Sequence, residues 1–148
     1  MFIATTYILN HRLAKRPQQA TPGSAAYDLF SAEVREEGNL LVVNTGLRTS
    51  FSSAYVMLVF GRSGLARKFG LSLANGVGVI DSDYRGDIQL MFRKHENMPI
   101  EQQLESLAPG NRVAQAMFLP LPLVEWRLTD MLADSDRGTG GFGSTGSG

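Results

Sequence analysis

Apolar residues in this chain come in short runs. Gly, Pro, Asn or Asp interrupts them about every 8–12 residues, a spacing that suits strands and turns rather than long helices. Strands are expected within Phe2–Leu9, around Asp28 in Ala25–Phe30, at Leu40–Val43, from Leu47 onward, through Ala54–Phe60, at Val113–Leu119 and at Leu123–Leu128. Lys15–Ser24 reads as a loop, and Arg35–Asn39 as a turn. One helical turn fits Leu65–Phe69 with Arg67 and Lys68 outward, and one short helix fits within Ile100–Leu107. The pattern predicts an all-β sandwich, jelly roll or barrel. With 148 residues and 43% hydrophobic content, the chain can build one domain with a proper core.

Asn75–Phe92, NGVGVIDSDYRGDIQLMF, is the densest stretch. Val77 and Val79, then Ile88 and Leu90, carry a two-residue apolar period, so it reads as one β-hairpin with half-buried arms. Asp81-Ser82-Asp83-Tyr84-Arg85-Gly86 lies between the arms. A turn needs Gly and Asp for backbone reasons. It does not need two carboxylates, a phenol and a guanidinium together, so the segment is a candidate site.

Two other segments suit an anion. Arg62-Ser63-Gly64 follows an apolar strand and offers a guanidinium, a hydroxyl and a glycine amide, although an ordinary strand-to-helix turn with Ser63 as N-cap is the commoner explanation of these three residues. Arg137-Gly138-Thr139-Gly140-Gly141-Phe142-Gly143-Ser144-Thr145-Gly146 carries glycines that let amides converge, with hydroxyl donors beside them. Its spacing is not that of a Walker loop. The alternative is a flexible Gly/Ser tail, against which Phe142 argues, because a ring can cover a base by stacking. Asp28, Asp81 and Asp83 are the carboxylates available for a general base or for magnesium waters. Arg112, inside an apolar strand, is expected to pair with a carboxylate. Gln115 either binds phosphate or faces solvent. His11 and His95 lack metal-ligand spacing and read as surface residues.

The 14 basic and 14 acidic residues cancel, which argues against bulk electrostatic binding of nucleic acid. Absence of cysteine excludes a disulfide, a thiolate zinc site and a thiol nucleophile. No apolar run reaches the ~18 residues that span a membrane, and MFIATTYILNHRLAKR does not read as a secretory leader. The expected location is cytoplasmic, or an intracellular host compartment for a viral chain.

Five blocks in order resemble the homotrimeric dUTPase family: Ala26–Leu29, Arg62–Ala66, Gly76–Gly86, Gly110–Gln115 and Arg137–Gly146. The resemblance implies a distorted jelly roll over residues 1–136, with a flexible arm, 137–148, closing over the site. It implies a homotrimer with active sites shared between subunits, dUTP as substrate, Mg2+ as cofactor, and release of dUMP and pyrophosphate. Such an activity limits uracil in DNA and supplies dUMP for dTMP synthesis. Asp81 is then the base for water attack on the α-phosphorus. Tyr84 packs under the deoxyribose, and Asn75 with the backbone of Val79, Ile80 and Asp81 reads uracil. Arg62, Ser63 and Gly64 hold phosphates, with Gln115 helping from a neighbouring subunit. Gln89 also falls among the substrate-binding positions. Asp28 meets the metal through water. Arg137, Phe142, Gly143, Ser144 and Thr145 close the site, and Asp83 and Arg85 are expected to brace the turn.

Some positions depart from the family's pattern. Ala26 stands for a usual Gly, Gly61 for a usual Pro and Asn111 for a common acid, and His95–Ala108 is a few residues longer. A dCTP deaminase of the same fold, or a nucleotide-gated regulatory protein, is the alternative.

Overall fold

A computed structural model describes residues 2–141. Nine strands and two helices follow one another as β1 (Thr6–Leu9), β2 (Tyr27–Phe30), β3 (Glu33–Glu37), β4 (Leu40–Asn44), β5 (Leu47–Ser50), β6 (Tyr55–Phe60), α1 (Ser63–Phe69), β7 (Val77–Ile80), β8 (Gln89–Arg93), α2 (Ile100–Ser106) and β9 (Arg112–Pro120). The fold is an all-β distorted jelly roll, with three antiparallel sheets in the orders β1-β5, β2-β9-β6-β7 and β3-β4-β8.

The most apolar strands lie innermost. Leu41 and Val43 of β4, Met57 and Val59 of β6, Leu90 and Phe92 of β8 and Val113 of β9 share one buried cluster with Leu107. Phe51 and Phe118 meet edge to face, with ring centroids 5.1 Å apart.

Four expectations change. Asn75–Phe92 is not one paired hairpin: β7 pairs with β6, and β8 pairs with β4. A two-residue apolar period is the same whichever strand lies alongside, so it could not choose the partner. Within one chain Val77 and Val79 are exposed, while Ile88 and Leu90 are buried as expected. Arg35–Asn39 is mostly strand, because β3 (EVREE) is an edge whose charged side chains face water and only Gly38-Asn39 turns. Leu123–Leu128 forms no strand. Among the described residues, the last backbone bond to the body runs from the Leu121 amide to the Ala54 carbonyl, 2.8 Å. Beyond it the chain lies outside the core, and Trp126 is 93% exposed.

Both helices are short. α1 has seven residues rather than one turn, and it ends at Gly70 in the left-handed region (φ 64°) with amides folded back on the Ala66 and Leu65 carbonyls. The His95 ring lies against Gly70, half-buried rather than on the open surface. Buried Gln103 of α2 holds the preceding loop. Its Nε2 donates to the carbonyls of His95 (2.9 Å) and Met98 (2.8 Å), and its Oε1 accepts the His95 amide (2.8 Å).

Gln103→Leu leaves those three backbone groups without partners. It should lower unfolding stability by about 2–4 kcal/mol in denaturant melts, and the overlying α2 surface should gain hydrogen exchange.

Candidate functional site

The candidate site residues fall into two groups. The first surrounds the split between β7 and β8. The arms meet only at their open end, where the Ala74 amide donates to the Met91 carbonyl (2.7 Å) and Leu73 bridges Phe92. Past that point β7 is the edge of its sheet and β8 the edge of another. A backbone-lined slot results, with Asn75 and Gly76 (φ 73°) at one end and the loop 81–87 at the other.

That loop is braced rather than free. The Tyr84 amide donates to the Asp81 carbonyl (3.2 Å). The Tyr84 hydroxyl donates to the Asp87 carbonyl (3.1 Å). The ring folds so close over Gly86 that a Cβ there would strike the hydroxyl, which is why this position needs glycine. Arg85 donates to the carbonyls of Ser82 (2.8 Å), Tyr84 (3.2 Å) and Thr49 (3.3 Å), which makes it the brace expected of it. Asp83 is exposed and makes no side-chain bond among the described residues. Asp81 is exposed too, and its carboxylate makes no side-chain bond among the described residues. Gln89 points away along β8 and accepts a bond from Arg35 (3.2 Å).

The second group sits across the sheet β2-β9-β6-β7. Asp28 lies opposite Gln115 in register, and Gln115 lies opposite Phe60, so one row of the sheet carries all three. Asp28 is nearly buried between two guanidiniums, Arg62 Nε at 3.2 Å and Arg112 Nε at 3.5 Å. Arg112 therefore has the carboxylate partner expected of a charge in an apolar strand. Arg62 also donates to the Arg112 carbonyl (3.1 Å). Gln115 donates to the Gly61 carbonyl (3.0 Å), which puts it beside the Arg62 block of its own chain rather than reaching it from a neighbour. Arg62, not Ser63, occupies the N-cap position of α1 and makes no side-chain cap bond. The Leu65 and Ala66 amides both return to the Arg62 carbonyl, so Ser63 and its hydroxyl stay exposed. The ordinary-cap explanation of Ser63 therefore fails.

Within one chain the two groups stand apart. β7 runs antiparallel to β6, with Phe60 opposite Val77 and Met57 opposite Ile80. Asp81 is thus four residues along the strands and three strands across from Asp28, on the order of 20 Å by strand spacing. Of the arm, Arg137 bonds only locally, to the Gly140 carbonyl (2.8 Å). Phe142, Gly143, Ser144 and Thr145 lie outside the described residues.

The sequence reading missed Asp87. Its carboxylate accepts bonds from Asn10 (3.0 Å), Asn44 (3.1 Å) and Arg48 (2.6 Å), gathered from β4, β5 and the end of β1. No local spacing signals a cluster drawn from residues up to 77 positions apart.

A family model described as dUTPase matches residues 12–146. The chain belongs to the dUTPase family. A deoxyuridine 5'-triphosphate nucleotidohydrolase of Desulfitobacterium hafniense is 43% identical, with 97% of this chain and 95% of that protein covered. One from Laribacter hongkongensis is 40% identical, with 94% of each covered. Among solved structures, a mutant Staphylococcus bacteriophage 80alpha dUTPase with dUpNHpp matches at a TM-score of 0.80 and 25% identity, over 97% of this chain and 99% of that one. A dUTPase of phage phi11 of S. aureus, solved with a structural Mg(II) ion, shares the fold at a TM-score of 0.73 and 23% identity, over 88% of this chain and 99% of that one.

Burial alone would push the Asp87 carboxyl up, but the Arg48, Asn44 and Asn10 hydrogen bonds and the Arg48 charge outweigh it and hold the group below its ordinary 3.8. The unfolded chain therefore binds this proton more readily than the folded one. Its stabilising effect is complete above the ordinary carboxylate range and is lost as pH falls through the lowered value. Unfolding curves from pH 7 down to pH 2 should show wild type more stable than Asp87→Asn at neutral pH, with the gap closing in acid.

Proposed function

We propose that the slot between β7 and β8 holds the uracil and deoxyribose of dUTP, and that the Asp28–Arg62–Ser63–Gln115 row of another subunit holds its triphosphate. As a dUTPase family member, the chain is a dUTP diphosphatase, an enzyme that hydrolyses dUTP to dUMP and pyrophosphate. The observation that carries the finer reading is the separation of the two halves. A general base must come within hydrogen-bond reach of the water it activates. Asp81 and the phosphate group of one chain are roughly 20 Å apart, whereas two subunits packed edge to edge can bring one of each together.

A homotrimer fits the exposed apolar surface. Val77 and Val79, Leu123, Trp126, Leu128, Met131 and Leu132 all stand open on the single chain. That much exposed hydrocarbon marks a surface that another chain covers.

Each element has a chemical task in this reading. Amides and carbonyls along the unpaired edge of β7 are fixed donors and acceptors for the uracil edge, and Asn75 closes the end. A 5-methyl group has no room where backbone cannot move aside. This matters because one methyl's worth of favourable contact gives only ~1–3 kcal/mol of discrimination. The Tyr84 ring packs under the sugar and leaves no space for a 2′-hydroxyl. Asp81 takes a proton from the water as its oxygen attacks the α-phosphorus, and the bond to the bridging oxygen of pyrophosphate breaks. Ser63, the Gly64 amide, Arg62 and Gln115 stabilise charge gathering on phosphate oxygens. The arm, with Arg137 beside the phosphates and Phe142 over the base, excludes water.

Magnesium is the cofactor proposed. Among the described residues no cluster of three or more His, Cys, Asp or Glu side chains stands ready to hold a metal. Asp28 already shares its charge with two guanidiniums. That donor set fits a magnesium carried in by the triphosphate and met by Asp28 through water, not a resident ion. When bound, the metal neutralises phosphate charge.

Pyrophosphate release from dUTP, dTTP, dCTP and UTP with magnesium tests the reading. Turnover is expected to be far faster with dUTP than with the other three, and chelation of magnesium should abolish most of it. Asp81→Asn should lose at least about 100-fold in kcat while keeping most dUTP affinity. Comparable rates on dTTP would reject the tight slot.

Shared sites make a second, sharper prediction. Asp81→Asn and Ser63→Ala chains, each inactive alone, should recover about a quarter of wild-type activity when co-assembled, because one site in four then draws both intact residues. No recovery on mixing would mean that the halves come from one chain. Deleting residues 137–148 should cripple turnover and leave the oligomer intact by light scattering. A monomer would show instead that the arm holds the assembly.

A further inference from the structure

The Asp87 carboxylate meets none of the residues assigned to the reaction, yet among the described residues it is one of the most heavily bonded carboxylates. Asn10, Asn44 and Arg48 converge on its two oxygens. The same residue's carbonyl accepts the Tyr84 hydroxyl. We infer that Asp87 is a positioning residue for sugar selection: its clamped carboxylate fixes the carbonyl that sets the Tyr84 ring. The inference rests on the reading of Tyr84 as the surface beneath the deoxyribose.

The loop 81–87 hangs between two strands that belong to different sheets, so neither sheet alone fixes its shape. Tyr84 is 44% exposed and lies outside the buried core cluster. Its tip is held by one hydrogen bond, and the bond's acceptor is the Asp87 main chain. The carboxylate of that same residue is held in turn by side chains from three separate strands or strand ends. The ring is therefore referenced to the body of the protein rather than to the loop.

β5 supplies a second fixing point. Arg48 grips Asp87, and the Thr49 carbonyl takes Arg85 from the middle of the loop. Two adjacent β5 residues thus anchor both the centre and the end of the segment that carries Tyr84. Gly86 lies between those anchors and lets the ring fold back. A ring free to tilt by even a few tens of degrees would open the space that excludes a 2′-hydroxyl. Discrimination against ribose should therefore depend on a carboxylate that meets neither base nor sugar.

A merely structural role predicts something different. Destabilisation lowers the fraction of folded enzyme, which scales kcat on every substrate alike and leaves KM unchanged. Loss of ring placement raises KM for dUTP more than it lowers kcat, and it narrows the gap between dUTP and UTP.

The test measures kcat and KM on dUTP and UTP for wild type, Asp87→Asn, Asn10→Ala, Tyr84→Phe and the double variant Tyr84→Phe/Asp87→Asn, with a thermal melt of each. Asp87→Asn should reduce the dUTP-to-UTP ratio of kcat/KM about fivefold or more, the size of one net hydrogen bond. Asn10→Ala, which removes one donor from far outside the loop, should move the ratio in the same direction by less. Adding Asp87→Asn to Tyr84→Phe should change the ratio by less than about twofold, because both act through one contact. An unchanged ratio in Asp87→Asn, or in Asn10→Ala if the first variant fails to fold, overturns the inference. So does an equal fall in kcat on both substrates, or full additivity in the double variant. Failure of wild type to hydrolyse dUTP would instead overturn the reading of the site itself.

Discussion

The structure depends on a pairing that does not form. β7 and β8 carry matching apolar patterns and are joined by a short loop, but each has its ladder with a strand on the other side. Their facing edges stay open. Open backbone groups cost little while water reaches them and several kcal/mol if they are dried without partners. A slot of this kind therefore favours an occupant whose rim alternates donors and acceptors. A pyrimidine edge has that character. The same constraint gives the slot its rigidity, because each wall is the rim of a sheet rather than a loop that could yield.

Charge is distributed to complement that neutral slot. The row at the far side of the sheet gathers Asp28, Arg62 and Arg112 into one network, with Gln115 bonded beside it. Two guanidiniums share one carboxylate there, so the network keeps a local positive excess in a chain whose formal net charge is zero. Under the proposed reading, that local excess is what attracts the triphosphate. Ser63 adds an uncommitted hydroxyl at the first residue of α1. Because the slot and the Asp28–Arg62–Gln115 row lie at opposite ends of the β6–β7 ladder, the proposed reading makes assembly a condition of chemistry and not only of stability.

Much of this was legible in the sequence. β4, β6 and β9 are runs of strand-forming residues whose burial follows their pattern, and the five blocks that mark the family lie in order along the chain. Other parts were hidden for definite reasons. β3 reads as a turn because Glu33, Arg35, Glu36 and Glu37 face water on an edge, with Val34 alone turned inward. Leu123–Leu128 reads as a strand because its apolar side chains need cover, and a sequence does not say which chain provides it. The partner choice of β7 and β8 is invisible to periodicity. Gln115 looked like a neighbour's contribution until register put it opposite both Asp28 and Phe60. The Asp87 cluster had no local signature at all, since its donors come from three distant segments and only the fold brings them together.

The last of these explains an otherwise odd strand. All four residues of β1 are exposed, so burial of its own side chains does not account for its place in the fold. It pairs only with β5, through the register Thr6–Ser50 to Leu9–Leu47. Just past its end, the Asn10 amide bonds the Gly46 carbonyl (2.7 Å), and the Asn10 side chain reaches Asp87. β5 in turn presents Arg48 and the Thr49 carbonyl to the loop. What the β1–β5 pair contributes is a fixed frame for the residues that shape the slot's closed end. A small two-stranded sheet with one exposed strand is an economical way to hold a loop between two larger sheets, because it ties that loop to a third, independent reference. Asn10 and Arg48 thus tie Asp87, and through its carbonyl Tyr84, to a frame outside both larger sheets.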